Sequence, residues 1–343
     1  MADGNDTPDD RLRQRAGPSR TTLWFLLEAD RWVVTGILLA TVFVTLSLAG
    51  VLYPSAEAAI RTSDSVDTVF QALLTATITG VTLVLTLNQL VLSQELGAVG
   101  DQRERMEGAM SFRKDVEDVI DAPVSPSRPA QFLRALVEVS GERASALQEA
   151  VADDAALRTA TEEFTDALIE NADRVSEGLD DARFGEFEVL SSALDFNYSW
   201  KIFTARRLRE KHADALDEEA TTALDRLIEV LRLFGPAREH FKTLYFQWEL
   251  IDLSRRMLVV SVPSLLVASG MVAFFNDAAY RATVLGTETL IFVIAAAITV
   301  SLVPFLILLA SVMRIATVTK HTLSIGPFIL RETEDVAEVS WME

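Results

Sequence analysis

The stretch from Thr68 to Gln94 has no charged side chain between Asp67 and Glu95, which reads as a helix that crosses a bilayer. A segment in hydrocarbon has to satisfy its backbone N–H and C=O groups internally, so an isolated span of this length is helical. Within it Gln71, Thr75, Thr79, Thr82, Thr86, Gln89 and Ser93 recur every three or four residues and share one helical face. The other faces are largely Leu, Val, Ile and Ala. Lipid gives such a ridge no hydrogen-bond partner, so it is expected either to pack against protein or to line a water path. Beyond Gln94 the chain continues without Pro as ELGAVGDQRERMEGAMSFRKDVEDVI, and one helix is expected to leave the membrane and run on to about Ile120.

The span at 68–94 has three companions. Residues 32–53, closed by Pro54, and residues 257–275 and 289–313 are apolar and free of ionisable groups. Pro263 and Pro304 lie inside the last two, where each frees a carbonyl and bends its helix; Ser261, Ser264 and Ser301 are close enough in sequence to repair the ladder. Basic residues flank one side of this set: Arg11, Arg13, Arg15, Arg20 and Arg31 before the first span, Arg103, Arg105, Arg113 and Lys114 after the second, Arg255 and Arg256 before the third, and Arg314, Lys320 and Arg331 after the fourth. Each short loop carries one Arg, Arg61 and Arg281. The bias places both termini and the middle segment in the cytoplasm of a multi-pass cell-membrane protein.

Residues 1–31 read as a cytoplasmic tail followed by an interfacial segment, TTLWFLLEADRW, and residues 314–343 as a second cytoplasmic tail. The middle segment, 95–256, reads as helix throughout. Its breaks fall at APVSPSRP, near Asp153 or Asp154 as a cap, and at Gly235-Pro236, where a helix begun at LDEEATTALDRLIEVLRLF is expected to stop. GEFEVLSSALDFNYSWKIFTARRLREKHA is expected to be one helix whose Phe187, Phe196, Tyr198, Trp200 and Phe203, with Phe184 just before it, pack against Phe241, Tyr245 and Trp248. No strand-type alternation occurs, so no sheet is expected. The fold class is all-α: four transmembrane helices with a helical cytoplasmic domain between the hairpins 32–94 and 257–313.

Composition excludes several chemistries. The chain has no cysteine, which removes thiolate catalysis, disulfides and Cys-based metal sites. His212, His240 and His321 are far apart, and no Gly-rich phosphate loop, GxSxG elbow or calcium loop is present, so neither a metal, a cofactor nor an enzyme is expected. With Asp and Glu outnumbering Lys and Arg by 50 to 31, the chain is a poor match for nucleic acid. Acid-rich composition with few lysines suits a halophilic cytoplasm, where salt screens carboxylate repulsion.

In its order of two spans, a long helical segment and two spans, with both ends inside, the chain resembles bestrophin anion channels and flagellar-stator-type proton channels in layout alone. The bestrophin motif FRxNxAYxRW has no counterpart in LNQLVLSQELGAVGDQRERM, where Asn88 and Arg103 do not match it in order. The composition and the segment QLVLSQELGAVGDQRERMEGAM resemble a family of four-span membrane proteins of haloarchaea that brings no known activity. The expected function is that of a non-enzymatic homo-oligomer in the bilayer, channel-like or transport-associated; the alternative is a membrane-anchored sensor or scaffold that binds a protein partner through its cytoplasmic helices. The net charge of -19 makes folding of the cytoplasmic segment salt-dependent. Circular dichroism should show helix in molar salt and a loss of helix on dilution to millimolar salt; an unchanged spectrum would refute the halophilic reading.

Overall fold

The computed structural model describes residues 29–53, 55–151, 155–180, 182, 187–284 and 286–322. Both tails, most of the segment 21–32, Asp153, Asp154, Pro54 and Phe184 lie outside the described residues. In chain order the helices are α1 (Arg31–Leu52), α2 (Ala56–Thr62), α3 (Ser65–Glu95), α4 (Val99–Val119), α5 (Pro129–Ala150), α6 (Ala155–Asp180), α7 (Phe187–Leu194), α8 (Tyr198–Lys211), α9 (Glu218–Phe274), α10 (Thr289–Ser301) and α11 (Val303–Thr322). The chain forms two compact units, one around Gly97–Phe246 and one of Thr21–Leu96 with Gln247–Thr317.

The unit of Thr21–Leu96 and Gln247–Thr317 holds the apolar helices. Phe70 of α3 is fully buried with Ala268 of α9 and Ala297 of α10, and Val84 of α3 packs with Leu253, Met257 and Ile307. Small residues let these helices approach closely, as association between spans requires when lipid is as apolar as the side chains. Gly50 of α1 illustrates the closeness: a Cβ there would meet the Ile291 side chain of α10. The outward faces carry Val33, Ile37, Val44 and Leu48 on α1 and Val259, Val262 and Leu266 on α9, all exposed. Exposed aliphatic rows on helices of this length are what acyl chains cover.

Around Gly97–Phe246 the helices build a continuous core. On α5, Phe132, Leu133, Leu136, Val137, Ser140, Ala144 and Leu147 are buried at helical spacing and face the Leu157, Leu168, Ala172, Val175 and Leu179 side of α6. Leu224, Leu227, Val230, Leu231 and Phe234 of α9 complete it. Full burial of such a side chain contributes about 1.5 to 3 kcal/mol, so this row outweighs weak helix propensity at any one position. The Pro-rich break after α4 is fixed by Glu117, which accepts hydrogen bonds from the Ser125 N–H at 2.9 Å and the Ser125 hydroxyl at 3.0 Å. The backbone donor first, then the hydroxyl, holds the Glu117 carboxyl below its ordinary range. Its contribution to stability is therefore present above the ordinary carboxylate range and fades as pH falls through the depressed value.

Several expectations are corrected. The helix from span two does not run unbroken to Ile120: α3 ends at Glu95, Leu96 is extended, and α4 starts at Val99, the interruption coinciding with Gly97 in a Gly-x-x-Gly stretch of poor helix propensity. The segment GEFEVLSSALDFNYSWKIFTARRLREKHA, expected as one helix, holds two, because the chain turns at Asp195 and Asn197 between α7 and α8. Conversely, α9 does not stop at Gly235-Pro236. Phe234 and Ala237 on either side are fully packed, and burial overrides the lost N–H of Pro236. Against the expectation of no sheet, a two-residue antiparallel pair forms, β1 (Thr283–Val284) with β2 (Thr287–Glu288), and turns at Gly286, whose φ of 81° suits glycine. Of the aromatic seam, Phe187 lies 6.1 Å from Tyr245, whereas Phe241 packs on Phe132 and Trp248 is exposed. The ring at the centre is Phe234, 4.8 Å from Phe196 and 6.0 Å from Tyr198.

Gly235 is required by that packing: a Cβ would stand 2.7 Å from the Tyr198 ring. Tyr198 cannot retreat easily, because Phe234 and the Arg238 guanidinium, 4.6 Å above its ring, hold the other sides. Gly235→Ala should therefore destabilise this unit by about 1 to 3 kcal/mol despite the better helix propensity of Ala. Thermal unfolding of the full-length protein should show a lowered midpoint; an unchanged or raised one would contradict the packing.

Candidate functional site

The face of α3 turned toward the rest of the chain carries Phe70, Leu73, Leu74, Thr77, Val81, Val84 and Val91. The polar ridge lies on the opposite face. Gln71, Thr75, Thr79, Thr82, Thr86, Gln89 and Ser93 are all exposed, flanked on one side by Ala72, Ala76, Leu83, Leu87 and Leu90 and on the other by Ile78, Leu85 and Leu92. The hydroxyls are not left bare. Thr75 donates to the Gln71 carbonyl at 3.0 Å, Thr79 to Thr75 at 2.8 Å, Thr82 to Ile78 at 2.9 Å and Thr86 to Thr82 at 2.9 Å. Each Thr oxygen still has free acceptor capacity toward whatever covers the ridge. The carboxamides of Gln71 and Gln89, exposed near the two ends, have a stronger demand for polar company than a hydroxyl that back-bonds its own helix.

Pro263 and Pro304 fall in different settings. Helix α9 continues through Pro263, with Ser261 donating to the Met257 carbonyl at 2.5 Å. Pro304 lies just after the break between α10 and α11, whose axes differ by 48°. Because Pro304 has no N–H, the Val300 carbonyl four residues earlier loses its helical donor. The Ser264 hydroxyl of α9 stands 2.9 Å from that carbonyl and 2.9 Å from the Val260 carbonyl of its own helix, so its one hydrogen is shared between the two acceptors. Ser264 is almost fully buried, so the repair sits where water could not substitute.

Charged clusters join the helices outside their apolar runs. Arg61 of α2 donates to the Asp277 carboxylate at 2.8 Å and to the Glu288 carboxylate at 2.5 Å, while Glu57 accepts the Glu288 backbone N–H at 3.1 Å. The Glu288 bond, aided by Asp277 and opposed by desolvation, raises the Arg61 guanidinium further above its already high value, so it stays charged at any working pH. Elsewhere in the same unit Arg31 of α1 and Arg314 of α11 approach one oxygen of Glu249 on α9, at 3.7 and 3.6 Å, and Arg314 also donates to the Ala29 carbonyl at 2.7 Å. All three side chains are largely buried. Arg31 and Arg314 are legible in the sequence as flanking charges, but Glu249 is not: nothing in its spacing marks it among many other acids. Among the described residues, no group of three or more His, Asp or Glu is placed to hold a metal ion.

These features define an α-helical membrane protein, with three helices long and apolar enough to cross a bilayer, or four if the bent pair α10 and α11 is one span. The chain belongs to the family DUF7972, a family of unknown function whose model matches residues 1–343. No curated protein and no solved structure matches it.

The Ser264 bond and Pro304 should be coupled. Ser264→Ala is expected to cost about 1 kcal/mol in thermal unfolding of the detergent-solubilised protein, the scale of a hydrogen bond between spans. In a Pro304→Ala background a backbone N–H becomes available to Val300, and the same Ser264 change should cost less, because only the bond to the Val260 carbonyl is then lost. Equal costs in the two backgrounds would show that the Ser264 hydroxyl is not repairing the proline site.

Proposed function

We propose that this chain is a four-span, homo-oligomeric cell-membrane protein without enzymatic activity, whose α3 ridge lines a channel-like path between protomers. The observation that carries the reading is the placement of the ridge: the polar stripe of α3 lies opposite the face the helix buries in its own protomer. A polar stripe turned away from the chain's own core is best accommodated by other copies or by water, since lipid offers neither donor nor acceptor. Thr and Gln with spare acceptor capacity suit weak, passive passage of ions or small polar solutes, and the spans contain no ionisable side chain of the kind that drives proton coupling. The positive-inside distribution supports cytoplasmic termini and a cytoplasmic helical segment between spans two and three. Acidic composition supports a halophilic setting and argues against nucleic acid as a partner.

A second reading draws on the Thr hydroxyls. Because each already donates within its own helix, the ridge can serve as packing surface alone, and the protein would then be an anchored sensor or scaffold whose cytoplasmic helices bind a partner. Single cysteines separate the two, and no native cysteine interferes. In liposomes, a water-soluble thiol reagent should modify cysteine at Thr75, Thr79, Thr82 and Thr86 but not at Ile78 or Leu85, and Thr82→Val with Thr86→Val should lower ion flux at least several-fold through a dewetted constriction. Protection of all the ridge positions leaves only the anchored reading. In intact cells Ser63→Cys should react with an impermeant reagent and Ser127→Cys only after permeabilisation; the reverse would invert the proposed topology.

A further inference from the structure

Helix α9 carries a cation in the middle of an apolar row. Trp248, Ile251, Arg255, Leu258, Val259 and Val262 are all exposed and recur at spacings that keep them on one helical face. Ile251 precedes the arginine on that face, and Leu258 and Val259 follow it one turn on. From Met257 onward α9 is free of ionisable groups as far as Phe274, and it is among the helices long and apolar enough to cross a bilayer. The exposed row beyond Arg255 is therefore the part of α9 that acyl chains cover.

Two indoles mark the edge of the bilayer independently. Trp32 of α1 and Trp248 of α9 are 52% and 59% exposed, and each is next in sequence to one member of the Arg31–Glu249 pair, 3.7 Å apart, which sets both rings at one level. Exposed Trp belongs among headgroups, where its ring meets apolar surface and its N–H meets water. Arg255 lies roughly 10 Å along the helix from Trp248, on the side of the apolar run. Six residues on from Glu249 the chain presents Arg255, whereas six residues on from Arg31 it already exposes Ile37. A guanidinium so placed lays its aliphatic stem along the acyl chains and reaches back for an anion at the headgroups.

The described residues do not supply that anion. The two nearest acids on α9 lie off the exposed row and are engaged elsewhere, Asp252 with Arg256 and Glu249 with Arg31 and Arg314. Among the described residues Arg255 forms no ion pair, and its planar fork of donors matches two oxygens of a phosphate. We propose that Arg255 holds the phosphate of a phospholipid whose acyl chain lies along Leu258, Val259 and Val262 and whose headgroup lies toward Trp248. A net-anionic headgroup such as phosphatidylglycerol suits the site better than phosphatidylcholine, whose own ammonium already offsets its phosphate. The site requires α9 in a bilayer but neither the oligomer nor the channel-like path proposed above.

The test uses the full-length protein in an uncharged detergent, at a salt concentration that holds its helical content. The protein is incubated with equal amounts of phosphatidylglycerol, phosphatidylcholine and diacylglycerol, separated by gel filtration, and the lipid that travels with it is extracted and weighed by mass spectrometry. Phosphatidylglycerol should be retained several-fold over phosphatidylcholine, and diacylglycerol, which has no phosphate, should be retained least. Arg255→Leu should remove that preference, while Arg103→Leu, which removes an exposed arginine of α4, should keep it. Because Arg255 is exposed, its variant should keep the helical content and melting temperature of the parent without added lipid, which separates loss of the site from unfolding. A preference that survives Arg255→Leu, or one lost equally in Arg103→Leu, would overturn the site. So would retention of diacylglycerol equal to that of phosphatidylglycerol, or displacement of the lipid by millimolar inorganic phosphate, which would point to a site for a free anion. A disulfide-linked dimer from Val259→Cys on mild oxidation in membranes would show a second copy covering the row and would equally refute the lipid site.

Discussion

Hydrocarbon supplies no hydrogen bonds, and the arrangement of the apolar helices follows from that single condition. Backbone groups bond along their own helix, and most hydroxyls placed among the spans turn back on the helix that carries them. The Thr hydroxyls of α3 do this at every turn, as do Ser261 on α9 and Ser301 on α10. Where the ladder has to break, at Pro304, a side chain of another helix, Ser264, shares its hydrogen between the Val300 carbonyl and the Val260 carbonyl of its own helix. A local defect is thereby converted into a contact between helices, and the 48° bend that follows Ser301 is held by a bond as well as by packing.

The same condition explains where the ionic groups collect. Charges are costly among acyl chains and inexpensive at their edge, so these ion pairs lie outside the apolar runs of the helices. Arg61 draws together Asp277 and Glu288 from the segment before α10, and Arg31 and Arg314 converge on Glu249. The second group is the more demanding of the two, because its members are largely buried. Replacing one partner of a buried pair leaves the others uncompensated, at a cost of about 3 to 5 kcal/mol, whereas an exposed pair such as Arg103 with Glu107 is worth a fraction of that.

The unit around Gly97–Phe246 is built instead on one continuous hydrophobic core. Aromatic rings there are anchored in pairs, and two cations, Lys201 and Arg238, are buried against ring faces at 4.9 and 4.6 Å, where ring quadrupoles replace part of the lost hydration. Helix α4 stands apart from this core over most of its length, as α3 stands apart in the polarity of its outward face. Neither feature is accounted for by packing among the described residues.

Much of this was legible in the chain alone. Long runs without charge announce spans because no alternative structure tolerates them, and the three-to-four spacing of Gln71, Thr75, Thr79, Thr82, Thr86, Gln89 and Ser93 assigns them to one face because a helix has a fixed period. Period alone cannot say which way a face points. Only tertiary packing decided that Phe70 and Val84 turn inward and the Thr ridge outward, since that depends on which small residues of α9 and α10 leave room for them. Helix boundaries were decided in the same way: Gly235-Pro236, a stop signal by local propensity, is overridden by the burial of Phe234 and Ala237, while the stretch at Gly97 yields because no buried side chain there holds the helix together. Glu249 acquires its partners only when three helices meet, and no sequence pattern encodes a meeting of residues so far apart along the chain. The sequence by itself determined which segments are long and apolar enough to cross a bilayer, because transfer energy is a local property; tertiary structure decided which faces remain uncovered, because that is a property of neighbours.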